Sequence, residues 1–278
     1  MMARIAHLSD LHFGANDPRI VGATEAWLEE RQPDLIIVSG DLTQRARIPQ
    51  FREASAYLNR LRAAGFPVLV VPGNHDVPLY DVFRRFVAPL RRYKRYISND
   101  LCPWFENDEV AVLGINTARS LTIKDGRINH DQMRMLNERF SKVADKKTRI
   151  LVTHHPLFAL KVGAETTPAI GRQELALDAI QDAGVDMLLA GHHHHASSHD
   201  ASELVTRVGS ALVVQAGTAT STRVREQEQS FNTIDTAEGL ATITVNGWNG
   251  EDFRPTDAKR YQSADGRWRQ LKSEEPAH

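Results

Sequence analysis

Residues 68–76 read Val-Leu-Val-Val-Pro-Gly-Asn-His-Asp, an apolar run that ends in an amide, an imidazole and a carboxylate. A short apolar run bounded by proline and glycine predicts a buried strand. The same order, with an apolar run first and polar side chains after it, occurs in four further segments, at residues 4–12, 35–41, 150–156 and 187–194. The sequence therefore predicts that several strands bring oxygen and nitrogen ligands to one edge of a sheet.

Seven of these polar side chains have the chemistry of transition-metal ligands, and they are Asp10, His12, Asp41, Asn74, His154, His192 and His194. Carboxylates and imidazoles that converge on one place indicate a site for two divalent ions, because a hydrophobic core has no need of them. Two cations repel each other, so the pair of ions needs a bridging anion. Asp41 is the candidate for the bridge, since it follows a strand and lies beside a glycine.

The spacing within the ligand set indicates how two side chains could face a single ion. Asp10 and His12 alternate along the chain, and on an extended segment alternate side chains point the same way. His192 and His194 repeat this spacing after another apolar run. Asn74 offers a neutral carbonyl oxygen, which suits a metal ion that also binds a phosphate.

Two residues beside Asn74 are the candidate catalytic residues. His75 lies between Asn74 and the acidic Asp76, and an imidazole held by a carboxylate can protonate a leaving oxygen. We therefore expect His75 to act on the leaving group without binding metal, and Asp76 to hold its ring. Together with two metal ions, this acid would complete the parts that phosphate ester hydrolysis needs.

Strands alternate with helices through the first two thirds of the chain, which indicates a layered α/β core with substantially parallel strands. Apolar periodicity predicts four helices, at residues 50–64, 81–96, 131–143 and 174–183. Pro89 should kink the second of these helices, and Asp131 should cap the third.

The pattern changes after about residue 200, where strands are predicted at 204–216 and 241–245. We expect antiparallel β structure there, closing a single domain over residues 1–262. A polar C-terminal tail is expected over residues 263–278.

Composition narrows the classes of function and partner. The chain has 278 residues, a formal net charge of -1 and one cysteine, Cys102, so an intramolecular disulfide is excluded. No apolar run approaches the roughly 20 residues that cross a bilayer, and the first residues do not read as a signal peptide. We expect a cytoplasmic protein with a small phosphate-ester substrate and no obvious nucleic-acid or membrane partner. The oligomeric state, including a homo-oligomer, stays open.

The motifs, taken in order, resemble those of the calcineurin-like metallophosphoesterases. They are Asp10-x-His12, Gly40-Asp41, Gly73-Asn74-His75-Asp76, His154-His155-Pro156 and Gly191-His192-x-His194. Within that family they look most like the branch of class III cyclic-nucleotide phosphodiesterases and glycerophosphodiesterases. The resemblance implies a four-layer α/β/β/α sandwich, in which helices flank two mixed β-sheets. It also implies a dinuclear site that binds manganese, iron or both.

The resemblance assigns a role to each candidate residue. It places one metal ion on Asp10, His12, Asp41 and His194. It places the other on Asp41, Asn74, His154 and His192, and it gives His75 the leaving-group role. Two departures concern the rim of the site: Leu157 stands where the branch often has a second proline, and Ala46 lies where it often has glycine.

The predicted function is that of a metal-dependent phosphodiesterase, in which a metal-bridging hydroxide attacks a small phosphodiester such as a cyclic nucleotide or a glycerophosphodiester. One alternative is a phosphomonoesterase, or a lipid or nucleic-acid phosphodiesterase, of the same family. A remote alternative is a non-catalytic scaffold, but such a protein should have lost ligands. Any single Asp10, Asp41 or Asn74 could be explained by turn chemistry after a strand, whereas the whole set could not.

Two regions leave their roles open. Six basic residues lie between positions 84 and 95, and they are Arg84, Arg85, Arg91, Arg92, Lys94 and Arg95. We interpret them as a solvated helix face, the alternative being attraction of an anionic substrate. The loops at 157–173 and 196–203 should decide which substrate is accepted.

Overall fold

The computed structural model describes residues 2–79, 81–118, 126–157, 161–162, 165–166, 173–191, 205–208, 211–222, 228–264 and 267–271. Along the chain the elements are β1 (Ala3–Leu8), α1 (Pro18–Arg31), β2 (Leu35–Val38), α2 (Ile48–Ala63), β3 (Val68–Val70), a 3-10 turn (Asn74–Asp76), α3 (Val82–Val87), α4 (Arg91–Tyr96), β4 (Trp104–Glu106), β5 (Val110–Gly114), α5 (His130–Phe140), β6 (Thr148–Val152), β7 (Lys161–Val162), β8 (Glu165–Thr166), α6 (Gln173–Asp182), β9 (Met187–Ala190), β10 (Val205–Val208), β11 (Ala211–Gln215), β12 (Ser230–Ala237), β13 (Leu240–Trp248), β14 (Phe253–Ala264) and β15 (Arg267–Gln270).

Two large sheets form the centre of the molecule. One has seven strands in the order β15-β14-β13-β12-β1-β2-β3, and the other has six in the order β10-β11-β9-β6-β5-β4. Strands β1, β2 and β3 are parallel, as are β5, β6, β9 and β11, whereas β12 to β15 form an antiparallel run. In the second sheet the end strands β10 and β4 pair antiparallel with β11 and β5, so both sheets are mixed, as expected.

Side-chain alternation along each strand builds three apolar layers. Ile5 and Ile37 point between the two sheets and pack with Ile150 of the second sheet. Their neighbours point the other way, under α1, α2 and α4, in a cluster that includes Leu28, Phe51 and Tyr93. Helices α5 and α6 cover the outer face of the second sheet. The result is the four-layer α/β/β/α sandwich that the motifs predicted.

The expected helices are present, with differences at their ends. Helix α2 begins at Ile48 instead of residue 50. The single helix expected at 81–96 is two short helices, α3 and α4, separated at Pro89, which cannot donate a backbone hydrogen bond. The prediction that Asp131 caps α5 is wrong, because the side chain of Asn129 accepts the hydrogen bond from Gln132 N.

Two other expectations need correction. The strand expected at 204–216 is the antiparallel pair β10 and β11. The polar tail expected from residue 263 does not begin there: β14 runs to Ala264, and β15 pairs with it. The reason is Trp268, whose side chain is buried between the sheets and fixes β15 in place. None of the helices in the described part of the chain combines the length and apolarity that a membrane crossing requires.

Candidate metal centre

The carboxyl ends of four strands bring five of the seven predicted ligands together. Asp10 and His12 follow β1, Asp41 follows β2, Asn74 follows β3 and His154 follows β6. The ligand atoms of Asp10, Asp41 and His154 lie within 4.8 Å of one another. Strands from both sheets therefore end at one point. The remaining predicted ligands, His192 and His194, lie outside the described residues.

Asp41 lies between the two halves of this cluster. Its Oδ1 is 3.4 Å from Nε2 of His154, and its Oδ2 is 3.8 Å from Nε2 of His12. The carboxylate is buried, and within the described residues Oδ2 has no hydrogen-bond partner. A buried carboxylate oxygen without a donor is costly unless a cation binds it. This geometry fits a carboxylate that bridges two metal ions.

The orientation of His154 points to a second ligand pair. Its Nδ1 lies 2.8 Å from the carbonyl oxygen of Ser39, which can only accept, so Nδ1 must donate. The neutral ring then has its lone pair on Nε2, which lies 2.9 Å from Oδ1 of Asn74. Two acceptors directed at the same point form a pair that suits a metal ion. A backbone carbonyl that fixes the tautomer of a histidine ligand is common at metal sites.

Asp10 and His12 occupy the other half of the cluster. Oδ1 of Asp10 lies 3.5 Å from Nε2 of His12, and Ser9 Oγ donates to Oδ2 of Asp10 at 2.5 Å. Our expectation that this segment is extended is wrong, because φ is +54° at Asp10 and +48° at His12. Both side chains still reach the cluster, through two left-handed residues in place of a strand's alternation.

Backbone hydrogen bonds between two loops hold these left-handed residues in place. Asp10 N donates to Gly40 O at 3.1 Å, and His12 N donates to Asp41 O at 3.0 Å. Asp41 itself has a φ of +51°. Such conformations cost free energy and persist where the surrounding structure over-determines them. The loops after β1 and β2 therefore form one rigid unit that carries three ligands.

Two motif glycines are required by close approaches at the centre. A Cβ on Gly40 would lie 2.6 Å from Nδ1 of His154, and a Cβ on Gly73 would overlap the carboxylate of Asp41. Gly40 also has a φ of +101°. These positions are glycine because the backbone touches the ligands.

His75 is held in a different way from the one expected. Its Nδ1 lies 2.7 Å from the carbonyl oxygen of Gln44 and donates to it. Asp76 instead accepts hydrogen bonds from Leu42 N, Thr43 N, Thr43 Oγ1 and Gly73 N. The interpretation that Asp76 holds the imidazole is therefore wrong, because backbone N–H groups surround this buried carboxylate. Asp76 ties the loop of Asp41 to the loop of Asn74.

The ring of His75 nevertheless lies beside the metal ligands. Its centroid is 4.9 Å from that of His12, edge to face. The ligand atoms of His12, Asp41 and His75 also lie within 4.8 Å of one another. Distance therefore permits His75 either to bind an ion or to act on a substrate held there, and its assignment as a leaving-group residue stays a prediction.

The buried charges shift one another's pKa values. Burial raises the pKa of Asp76 to about 6, and the negative charge of Asp41 adds to the effect. Burial also acts to raise the pKa of Asp41, but the nearby His154, His75 and His12 outweigh it, so the net shift is downward. For His12, burial acts to lower the pKa, but Asp10 and Asp41 outweigh it and the net shift is upward. Asp41 is thus favoured as an anion, the form that binds metal.

Comparison with known proteins agrees with this geometry. Residues 3–196 match the calcineurin-like phosphoesterases. The chain belongs to this family of phosphoesterase enzymes, whose members bind a dinuclear metal site, and the ligand cluster fits such a site.

Individual relatives are distant. The chain is 26% identical over 165 residues to the glycerophosphodiester phosphodiesterase GpdQ of Enterobacter lignolyticus. The aligned region covers 55% of this chain and 57% of that protein. It is 26% identical over 211 residues to the probable cyclic nucleotide phosphodiesterase syc0937_d of Synechococcus sp., covering 70% of this chain and 75% of that protein. A dimetal phosphatase from Danio rerio shares the fold, with a TM-score of 0.59 at 13% identity over 88% of this chain and 96% of that one.

Several residues that shape the centre were not predicted. Ser39 and Gln44 orient His154 and His75 through backbone carbonyl oxygens, which every residue type possesses. Ser9 supports Asp10 through its hydroxyl. A serine beside a ligand is too common to indicate a supporting role. Every residue has a backbone carbonyl, so the sequence cannot indicate which carbonyl will orient a histidine.

Proposed function

We propose that this protein is a metal-dependent phosphodiesterase that hydrolyses a small phosphodiester, with cyclic nucleotides and glycerophosphodiesters as the candidate substrates. The observation that carries the proposal is the buried Asp41 between the Asp10–His12 pair and the Asn74–His154 pair. The names of the two relatives, one for each candidate substrate, support the choice of diesters. Manganese or iron are the metals that we propose for this set of ligands.

The residues of the centre divide the chemical work. When bound, two transition-metal ions act as Lewis acids on the phosphoryl oxygens and lower the pKa of a water molecule, so that hydroxide is available to attack phosphorus. Asp41 would hold the ions, and the ring of His154, fixed by the Ser39 carbonyl, would present Nε2 to one of them. His75 has its Nδ1–H bound to the Gln44 carbonyl, so Nε2 is the ring atom left to act on the substrate. From the imidazolium form, in which both ring nitrogens carry a proton, Nε2 gives its proton to the leaving alkoxide and the ring becomes neutral.

Few basic residues follow the metal motifs along the sequence, and this favours a diester over a monoester. At neutral pH a diester carries one negative charge and a monoester nearly two, so monoester sites need additional cations. Arg45 is the basic residue closest in sequence to the Asp41 motif on its C-terminal side, and it is exposed. This argument supports the diesterase proposal from the charges of the chain itself.

A pair of chromogenic substrates tests the proposal. The manganese-loaded protein should show a higher kcat/KM for bis-nitrophenyl phosphate than for nitrophenyl phosphate, together with measurable turnover of a cyclic nucleotide or a glycerophosphodiester. A monoester preference of tenfold, about 1.4 kcal/mol in transition-state stabilisation, would replace the diesterase by a phosphatase.

A further inference from the structure

Helix α3 exposes an apolar surface that the catalytic centre does not use. Three apolar side chains of α3 and one that precedes the helix are exposed. The exposed fractions are 40% for Leu79, 76% for Phe83, 54% for Phe86 and 66% for Val87. We call these four residues the α3 patch. Every other phenylalanine in the described ranges is buried or half-buried. Aromatic side chains concentrated on one exposed helix indicate a surface that binds something.

Basic side chains lie within and just after the α3 patch along the chain. Residues 81–96 contain six basic residues and one acidic residue, in a chain whose net charge is -1. Arg91, Lys94 and Arg95 of α4 are exposed, and so is Arg84 of α3. The combination differs from a solvated basic helix face, because such a face carries no exposed phenylalanines.

Helix α4, which follows the patch, is firmly attached to the core beneath it. Arg92 donates to the carbonyl oxygen of Ala46 at 2.7 Å, and the hydroxyl of Tyr93 donates to the carbonyl oxygen of Val70 at 3.2 Å. Tyr93 is fully buried. The chain enters α3 only a few residues after Asp76, so the patch is presented by the same segment that carries His75.

We propose that the α3 patch docks this protein onto the surface of an anionic lipid bilayer. Phenylalanine side chains enter the boundary between headgroups and acyl chains, while long basic side chains reach back to anionic headgroups. Basic residues near such a surface each add to binding, and the effect weakens with salt. Lipid binding does not depend on the substrate that we propose for the metal centre.

A second copy of this chain suits the patch less well. In a two-fold dimer the same surface meets itself, so the basic residues of one copy would face those of the other. The patch therefore calls for an anionic partner. A bilayer satisfies the exposed phenylalanines and the cations at the same time, and it requires no groove.

Vesicle co-sedimentation of the full, manganese-loaded chain tests this proposal. We expect binding to vesicles of phosphatidylcholine that contain phosphatidylglycerol, and little binding to phosphatidylcholine alone. Replacing Phe83 and Phe86 together by serine should lower the affinity at least tenfold. The matched control is Leu240→Ser, which removes an exposed apolar side chain from the first position of β13 and should leave binding unchanged.

Charge variants provide a second test of vesicle binding. Arg91→Glu with Lys94→Glu should abolish the salt-dependent part of vesicle binding, whereas Arg267→Glu with Arg269→Glu, on the exposed face of β15, should change it little. Metal content and turnover of a soluble diester report that each variant is folded.

Three results would overturn the proposal. The first is that the wild-type chain does not sediment with anionic vesicles. The second is that the serine variant binds these vesicles as well as the wild type does. The third is that sedimentation velocity shows the wild type to be a dimer and the serine variant to be a monomer. The last result would identify the patch as an interface between copies, and binding of an acidic protein without vesicle binding would likewise assign it to another partner.

Discussion

Replacing Gly40 by alanine perturbs the metal centre at a single, well-defined contact. The new Cβ would lie 2.6 Å from Nδ1 of His154 and 2.9 Å from the backbone nitrogen of Gly73. The backbone at Gly40 also has a φ of +101°, where a residue with a Cβ costs about 1–2 kcal/mol. The ring of His154 must therefore move, and its hydrogen bond to the Ser39 carbonyl must lengthen or break.

A matched glycine separates the contact from the backbone strain. Gly65, just after α2, has a φ of +94°, and a Cβ there would meet nothing within 4 Å. Both Gly40→Ala and Gly65→Ala should lose about 1–2 kcal/mol of unfolding free energy from the backbone alone. Only Gly40→Ala should also lose manganese, and a displacement near 1 Å at the centre should lower turnover on the order of 100-fold.

Guanidinium unfolding, elemental analysis and bis-nitrophenyl phosphate turnover measure the three effects. A Gly40→Ala protein with full manganese content and full turnover would refute the argument that His154 is a ligand held against this glycine. Equal losses of turnover in Gly65→Ala would show that lowered stability, and not the displaced ring, accounts for the effect.

Three further predictions concern other residues of the centre and of the core. Asp41→Asn should lower the occupancy of both metal ions in elemental analysis, whereas His12→Ala should mainly lower the occupancy of one. Full metal occupancy and full turnover in Asp41→Asn would exclude the bridging role of Asp41. His75→Ala should keep both ions and lose roughly 10²–10⁴ in turnover, with a smaller loss for nitrophenyl esters, whose leaving groups need little protonation; loss of an ion would show instead that His75 is a ligand. The buried His7 has a pKa lowered by desolvation from 6.5 to about 3. Below pH 6.5 the unfolded chain therefore binds a proton that the folded chain does not. Between pH 7 and pH 5 the wild type should lose about 2 kcal/mol more unfolding free energy than His7→Gln, and equal losses in the two proteins would contradict the neutral, buried His7.

The ligands could be predicted from the sequence because they combine a rare residue type with a strand end. Asp41, Asn74 and His154 each follow an apolar run. The parallel strands β1, β2 and β3 place Asp41 and Asn74 at one edge of their sheet, and His154 follows β6 of the second sheet. The position of Asp76 was predictable in the same way, but its partners were not. A buried carboxylate accepts from whichever donors surround it, and here those donors are the backbone N–H groups of residues 42, 43 and 73 and the hydroxyl of Thr43.

Elements with a weak apolar pattern were predicted less well. Helix α1 is not among the helices expected from periodicity, since Gly22 interrupts it and only a narrow stripe that includes Ile20, Val21 and Leu28 is buried. The run at 204–216 contains the pair Gly209-Ser210, a combination typical of two-residue hairpins, which lies between β10 and β11 in the sequence. The narrow apolar stripe of α1 depends on tertiary packing, whereas the division into two strands could have been predicted from this pair.

The left-handed residues explain why the backbone conformation of the ligand loop is predicted wrongly from local sequence although its ligands are brought to the cluster as predicted. Asp10, His12 and Asp41 each have a φ near +50°, a conformation that costs a residue with a Cβ about 1–3 kcal/mol. Sequence patterns favour the conformation with the lowest local energy, and an extended loop was therefore expected. The cost is offset by hydrogen bonds between the loops, such as Asp10 N to Gly40 O, which exist only once β1 and β2 are paired. Because these bonds fix the three side chains, the fold itself positions the ligands, and metal binding then needs little rearrangement of the backbone.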